Sequence, residues 1–117
     1  MTEHKFPTLV STILEGMENL KAENITVLDL TSLDNSICSF FVLANGNSNT
    51  QVKAIADSVE ELVRKNLKDK PWHVEGRTTA EWVLMDYVNV VVHVFQKTTR
   101  EFYDLEGLWG DAKTTNL

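Results

Sequence analysis

The chain has 117 residues, a size at which one domain folds around a real hydrophobic core and buries roughly two thirds of its unfolded surface. Apolar residues make up 43% and charged residues 24%, which excludes the low-hydrophobicity, high-charge composition of disordered chains. The balance of 11 basic against 17 acidic residues leaves a net charge of -6, the wrong sign for affinity built on phosphate neutralisation, so no direct nucleic-acid specificity is expected.

Met1 to Val10 carries His4, Lys5 and Pro7 but no long apolar stretch, and it reads as neither a signal peptide nor a transit peptide. From Leu9 the residues Val10, Ile13, Leu14, Met17 and Leu20 recur at helical spacing and predict an amphipathic helix, with Pro7 suited to its opening turn. Ile25 to Leu30 reads as a short strand, followed by turn chemistry over Thr31 to Ser36. Ser39 to Ala44 is continuously apolar through Phe40, Phe41, Val42 and Leu43, as a central strand buried on both faces would be.

Asn45 to Asn49 reads as a loop. Ser48, with Gln51 three positions on, matches a capping box and opens a helix whose buried stripe is Val52, Ile55, Ala56, Val59, Leu62 and Val63. It ends near Leu67, before Pro71. Three more strands are predicted, at Trp72 to Glu75, Glu81 to Asp86 and Asn89 to Phe95, the last two joined as a hairpin through Tyr87 and Val88. Val90 to Phe95 is the longest apolar run, interrupted by His93 and too short to span a bilayer, so no membrane association is expected. Thr98 or Thr99 caps a short final helix carrying Phe102, Tyr103, Leu105, Leu108 and Trp109 toward the core, and Lys113 to Leu117 is a polar tail. The order α-β-β-α-β-β-β-α predicts a single α/β (α+β) domain over residues 1–117, with helices packed on a mixed sheet of about five strands.

The residues that could carry chemistry do not converge. Cys38 is the only cysteine, which excludes an intrachain disulfide and a cysteine-based zinc site and fits a reducing compartment. His73 and His93 fall in predicted strands without helical ligand spacing, so no metal or cofactor is expected. Asn45-Gly46-Asn47-Ser48 lies between a strand and a helix, where backbone N–H groups could cradle an anion. Nucleotidyltransferases use such a loop, but they need a carboxylate pair on the next strand, where this chain has Trp72-His73-Val74-Glu75. A nucleotide-binding or nucleotidyl-transferring enzyme using the Gly46 loop is therefore the alternative reading, and the loop is read first as a helix cap.

A two-residue turn at Tyr87 and Val88 pairs Asp86 with Asn89, Leu84 with Val91 and Trp82 with His93. One face is then uniformly apolar through Val83, Met85, Val90, Val92 and Val94 and must be core. The other shows Trp82, Leu84, Asp86, Asn89, Val91 and His93, a mixture suited equally to the centre of an interface or to cover by a helix.

Several blocks resemble the ribosomal silencing factor family, the Iojap-related proteins. They are Phe41-Val42-Leu43-Ala44-Asn45-Gly46-Asn47-Ser48-Asn49-Thr50-Gln51-Val52, Ile55-Ala56-Asp57, Ala80-Glu81-Trp82-Val83-Leu84-Met85-Asp86-Tyr87, Val91-Val92-His93-Val94-Phe95, Thr99-Arg100-Glu101-Phe102-Tyr103-Asp104-Leu105-Glu106 and Leu108-Trp109-Gly110-Asp111-Ala112. The resemblance implies a nucleotidyltransferase-like fold without catalytic carboxylates. It also implies a cytoplasmic, bacterial, non-enzymatic translational repressor, often a homodimer, that binds the large ribosomal subunit through ribosomal protein L-fourteen. That contact blocks joining of the small subunit when nutrients are scarce. Net charge -6 suits approach to a basic partner of this kind. The partner-binding positions implied are Trp82 as aromatic anchor, Leu84 as flanking apolar contact, Asp86 facing a basic group, and Tyr87 offering area and a hydroxyl. Many relatives have glycine where Val88 stands, and a β-branched residue resists positive φ, so a different turn is expected here.

Overall fold

The computed structural model describes residues 6–34 and 36–117; Met1 to Lys5, read from the sequence as part of an N-terminus without targeting character, and Asn35, in an expected turn, lie outside the described residues. Helix α1 (Thr8–Asn19) buries Val10, Ile13, Leu14 and Met17, as their spacing predicts. Strands β1 (Glu23–Asp29) and β2 (Phe40–Gly46) follow, and β2 is buried along its whole length. Helix α2 (Asn49–Leu67) lies against α1, and the contact is close because Gly16 has no side chain: a Cβ there would come within 2.9 Å of Val59 Cα. Ser58 Oγ donates to the Gly16 carbonyl at 2.8 Å across the same contact.

Strands β3 (His73–Glu75), β4 (Trp82–Asp86) and β5 (Val90–Gln96) complete the central part of a sheet ordered β3-β4-β5-β2-β1-β6. Only β2 and β5 run parallel; the other neighbours are antiparallel. One face packs on α1 and α2 through Val27, Val42, Ala44, Val83, Met85, Val90, Val92 and Val94, which form the main core. The opposite face carries Leu28, Phe41, Leu43, Val91 and Phe95 and is covered, among the described residues, by the segments around Leu33 and Trp109 and by two short helices. Those are α3 (Lys97–Tyr103) and α4 (Leu105–Leu108), set on the sheet's second side. Among the described residues no helix is long and apolar enough to cross a membrane.

The mixed α/β sheet predicted from the sequence is found, with three corrections. The expected polar tail forms a sixth strand, β6 (Lys113–Asn116), antiparallel to β1 with Thr26 opposite Asn116. Its residues are polar because an edge strand has one neighbour and solvent on its other side. The hairpin register is shifted by two: Trp82 opposes Phe95, Leu84 opposes His93 and Asp86 opposes Val91. A shift of two preserves which face each side chain occupies, so the expected apolar set remains inward. The final helix is broken at Asp104, whose φ of 46° lies in the left-handed region and whose side chain caps the Gly107 N–H at 3.1 Å. Only Leu105 and Trp109 of its expected apolar stripe pack inward, while Phe102 and Leu108 are exposed. Gln96 precedes α3 as its cap position, and neither Thr98 nor Thr99 plays that part.

Candidate partner-binding face

Alternation along β4 points Trp82, Leu84 and Asp86 to the thinly covered side of the sheet and Val83 and Met85 to the core. The middle of that side is closed. Phe41 packs edge-on to His93 at 4.7 Å and to Trp109 at 5.8 Å between ring centres, and His93 stacks near-parallel to Phe95 at 5.8 Å. Trp82 sits at the border of this cluster. Its indole lies 5.1 Å from the Phe95 ring and 4.9 Å from the Tyr103 ring on α3, and its Nε1 donates to His93 Nδ1 at 3.0 Å. That bond, diagonal across the strands, survives the altered register. It makes Nδ1 the acceptor, so neutral His93 carries its proton on Nε2. Burial pushes the imidazole down to about 3.

Trp82, Leu84 and Asp86 are each partly exposed and form one row. Beyond Trp82 the apolar surface continues over Tyr103 to the exposed ring of Phe102, 5.0 Å from it. Asp86 uses Oδ1 to accept the Val88 N–H at 2.7 Å, which fixes the carboxylate at the end of the row. The turn it holds is unusual. Val88 takes φ 76° and the Asn89 N–H donates to the Tyr87 carbonyl at 3.0 Å, a γ-turn geometry strained for a β-branched residue. The expectation of a different turn thus resolves as a three-residue connection, Tyr87 to Asn89, that keeps positive φ at position 88.

Tyr87 departs from the other three expected positions. It continues the inward parity of Val83 and Met85, is 6% exposed within the main core, and its hydroxyl finds no partner there. Burial, with Glu60 and Asp69 nearby, drives its phenol well above the ordinary value. It therefore shapes the hairpin end from behind and presents neither area nor hydroxyl on the row.

Arg100 is a residue that pattern reading passed over. It is 7% exposed and anchors α3 to the sheet. Nη1 donates to the Asn24 carbonyl at 2.6 Å and to Asn45 Oδ1 at 3.0 Å, while Nη2 donates to Thr26 Oγ1 at 3.0 Å and Glu106 Oε2 at 2.8 Å. Its Nε reaches Glu106 Oε1 at 3.4 Å, so arginine and glutamate meet fork to fork. Periodicity assigns charges to the solvent side of a helix; the signal that something else holds here is the asparagine at the end of an otherwise apolar strand.

The Gly46 loop is occupied by its own capping. Ser48 Oγ accepts the Gln51 N–H at 3.1 Å and Gln51 Oε1 accepts the Asn47 N–H at 2.7 Å. A Cβ at Gly46 would press on Val52 N, the Gln51 side chain and Ile55 at 3.2–3.3 Å, so the glycine serves the approach of α2 to β2. On β3, Glu75 Oε2 lies 2.6 Å from His73 Nε2. Cys38 is buried with its thiol pushed up to about 11, which leaves it protonated and unreactive. Among the described residues no group of three or more His, Cys, Asp or Glu side chains is placed to hold a metal ion.

The family model described as ribosomal silencing factor during starvation matches residues 3–117. A protein of Halalkalibacterium halodurans named ribosomal silencing factor is 38% identical over 110 residues, covering 93% of this chain and 92% of that one. A crystal structure of a Chromobacterium violaceum protein superposes with a TM-score of 0.83 at 37% identity, covering 92% of this chain and 88% of that chain. More distantly, 60% of the chain is similar, at 32% identity over 73 residues, to a third of a mouse protein named mitochondrial assembly of ribosomal large subunit protein 1.

Proposed function

The chain belongs to the ribosomal silencing factor family, and from that premise we propose that it is a translational repressor that docks on the large ribosomal subunit through ribosomal protein L-fourteen. Seated there it excludes the small subunit by occupying the joining surface, a role suited to nutrient limitation in a bacterial cytoplasm. No bond is made or broken. The observation that carries the reading is the row Trp82, Leu84 and Asp86, an aromatic, an aliphatic and an acid partly exposed on the thinly covered face of the sheet. An indole held by one hydrogen bond and three rings is a rigid anchor that loses little entropy on binding. The fixed Asp86 carboxylate suits a lysine or arginine of a basic partner. The capping bonds of the Gly46 loop argue against the nucleotide reading.

Co-sedimentation with purified large subunits tests this directly. Trp82→Ala is expected to weaken binding about 30- to 1,000-fold. It also costs about 1–3 kcal/mol of folding stability, because the indole packs on Phe95 and Tyr103. Asp86→Asn separates the two effects, keeping the acceptor for the Val88 N–H while removing the charge, and should lose roughly 10-fold in affinity with little change in melting. Folded variants that bound large subunits at wild-type affinity and still blocked subunit joining would remove this row from the account.

A further inference from the structure

The cations of this acidic chain are unevenly placed. Arg64, Lys65, Lys68 and Lys70, four of the 11, fall at the end of α2 and in the segment after it. All four are exposed, and none makes an ion pair among the described residues. Two of the acids one and two turns earlier, Asp57 and Glu60, are held by Arg77. The groove the four cations line, about 810 Å³ in volume, includes only Glu61 and Asp69 as acids. A local positive excess therefore stands on a chain of net charge -6.

Through Asp69 and Lys70 this groove runs into a second, of about 330 Å³, bounded by Pro71, Trp72, Tyr87 and Val88. Trp72 is 81% exposed, and among the described residues no other ring stacks on it. Its backbone is nonetheless fixed: the N–H donates to the Asp86 carbonyl at 2.7 Å, and His73 and Val74 pair with Asp86 and Met85. Lys68 is likewise set, capping α2 in the left-handed region with its N–H on the Arg64 carbonyl at 3.0 Å. The helix dipole accounts for basic residues in the last turn, Arg64 and Lys65, but not for Lys68 and Lys70 beyond it or for a free indole beside them.

Unpaired cations flanking a bare, positioned aromatic ring make the surface that single-stranded nucleic acid uses: phosphates on the charges, a base on the ring. We propose that this end of the molecule is an RNA contact, with Arg64, Lys65, Lys68 and Lys70 taking backbone phosphates and Trp72 stacking on an unpaired base. The inference extends the ribosome-docking reading. Because Trp72 is bonded to the Asp86 backbone, the RNA contact adjoins the hairpin end of the partner-binding row. Affinity comes from the backbone and one stacked base, so it carries no strong sequence preference.

Fluorescence anisotropy with a labelled, unpaired oligoribonucleotide of about 12 nucleotides is the test. Wild type should bind saturably, with a log–log salt slope near -3 for about four phosphates. Lys65→Ala with Lys68→Ala should reduce that slope by about 1.4. Trp72→Ala should weaken binding about 5- to 150-fold with the slope unchanged. These side chains are exposed, so each variant should melt with wild type. Absence of saturable wild-type binding, or full affinity in Trp72→Ala, overturns the proposal. Equal affinity for a polyglutamate peptide of the same length also does so, reassigning the patch to an acidic protein partner. Trp82→Ala should bind the RNA as wild type does. A wild-type protein that sedimented with large subunits but bound no RNA would sink this inference alone and leave the docking reading standing.

Discussion

Replacing Arg100 with methionine keeps much of the side-chain volume and removes the guanidinium that ties α3 to the sheet. Three neutral acceptors lose a charged donor: the Asn24 carbonyl, Asn45 Oδ1 and Thr26 Oγ1. Glu106, about a third exposed, turns to solvent, so its share of the loss is discounted. Asn45 and Thr26 retain weaker bonds, to Asn24 Nδ2 at 3.3 Å and Asn116 Oδ1 at 3.1 Å. Each hydrogen bond to the guanidinium that is lost without replacement costs about 1.5–3 kcal/mol, a large part of the roughly 5–15 kcal/mol typical of a domain. Urea denaturation measures the total, and amide exchange locates it, with α3, α4 and β6 expected to lose protection before the α1–α2 side. A destabilisation under about 1 kcal/mol, or loss of protection spread evenly over the sheet, would refute the view of Arg100 as the clamp of this face.

Val88→Gly should raise stability by about 1 kcal/mol in thermal melts, because glycine accepts φ 76° without the steric cost a β-branched residue meets there. His93 gives the chain an acid-labile core: its folded value of about 3 lies under the ordinary 6.5, so the unfolded state takes the proton first as pH falls. Stability is then fully present above about pH 6.5 and is lost toward pH 3, at no more than about 1.4 kcal/mol per pH unit, a slope that His93→Gln should flatten in denaturation titrations. Val92→Asp places an unpaired charge in the main core and should leave the chain unfolded by circular dichroism, whereas a wild-type melt would overturn the face assignment.

The layers of the fold were legible wherever a period was strong. Val10, Ile13 and Met17 announce α1, and the alternation of Val83 and Met85 with Trp82 and Leu84 assigns both faces of the hairpin. The same parity, carried two residues further, points Tyr87 inward; reading it as a turn residue hid this. The register slipped because a valine at positive φ is a choice local propensity argues against, made tolerable here by the Asp86 carboxylate on its N–H. β6 escaped because Lys113-Thr-Thr-Asn116 has no apolar alternation, leaving only the β-propensity of two threonines as a sign. Of the candidate site, the shared face of Trp82, Leu84 and Asp86 was visible in sequence, whereas the clamp at Arg100 depends on residues some 75 positions away, which no local pattern reports.

The pairing of β6 with β1 also sets an order of events for a chain being made. Thr26 to Asp29 find their outer partners in Lys113 to Asn116, 84 to 90 positions further along the chain. Contacts of such sequence separation close slowly and late. Until those residues are made β1 carries an open row of backbone donors and acceptors beside its buried Val27 and Leu28, an edge on which a neighbouring nascent chain could pair. Four polar residues then shut it, and Asn116 meets Thr26 beside the Arg100 clamp, so the sheet's outer edge and the anchoring of α3 share one set of contacts.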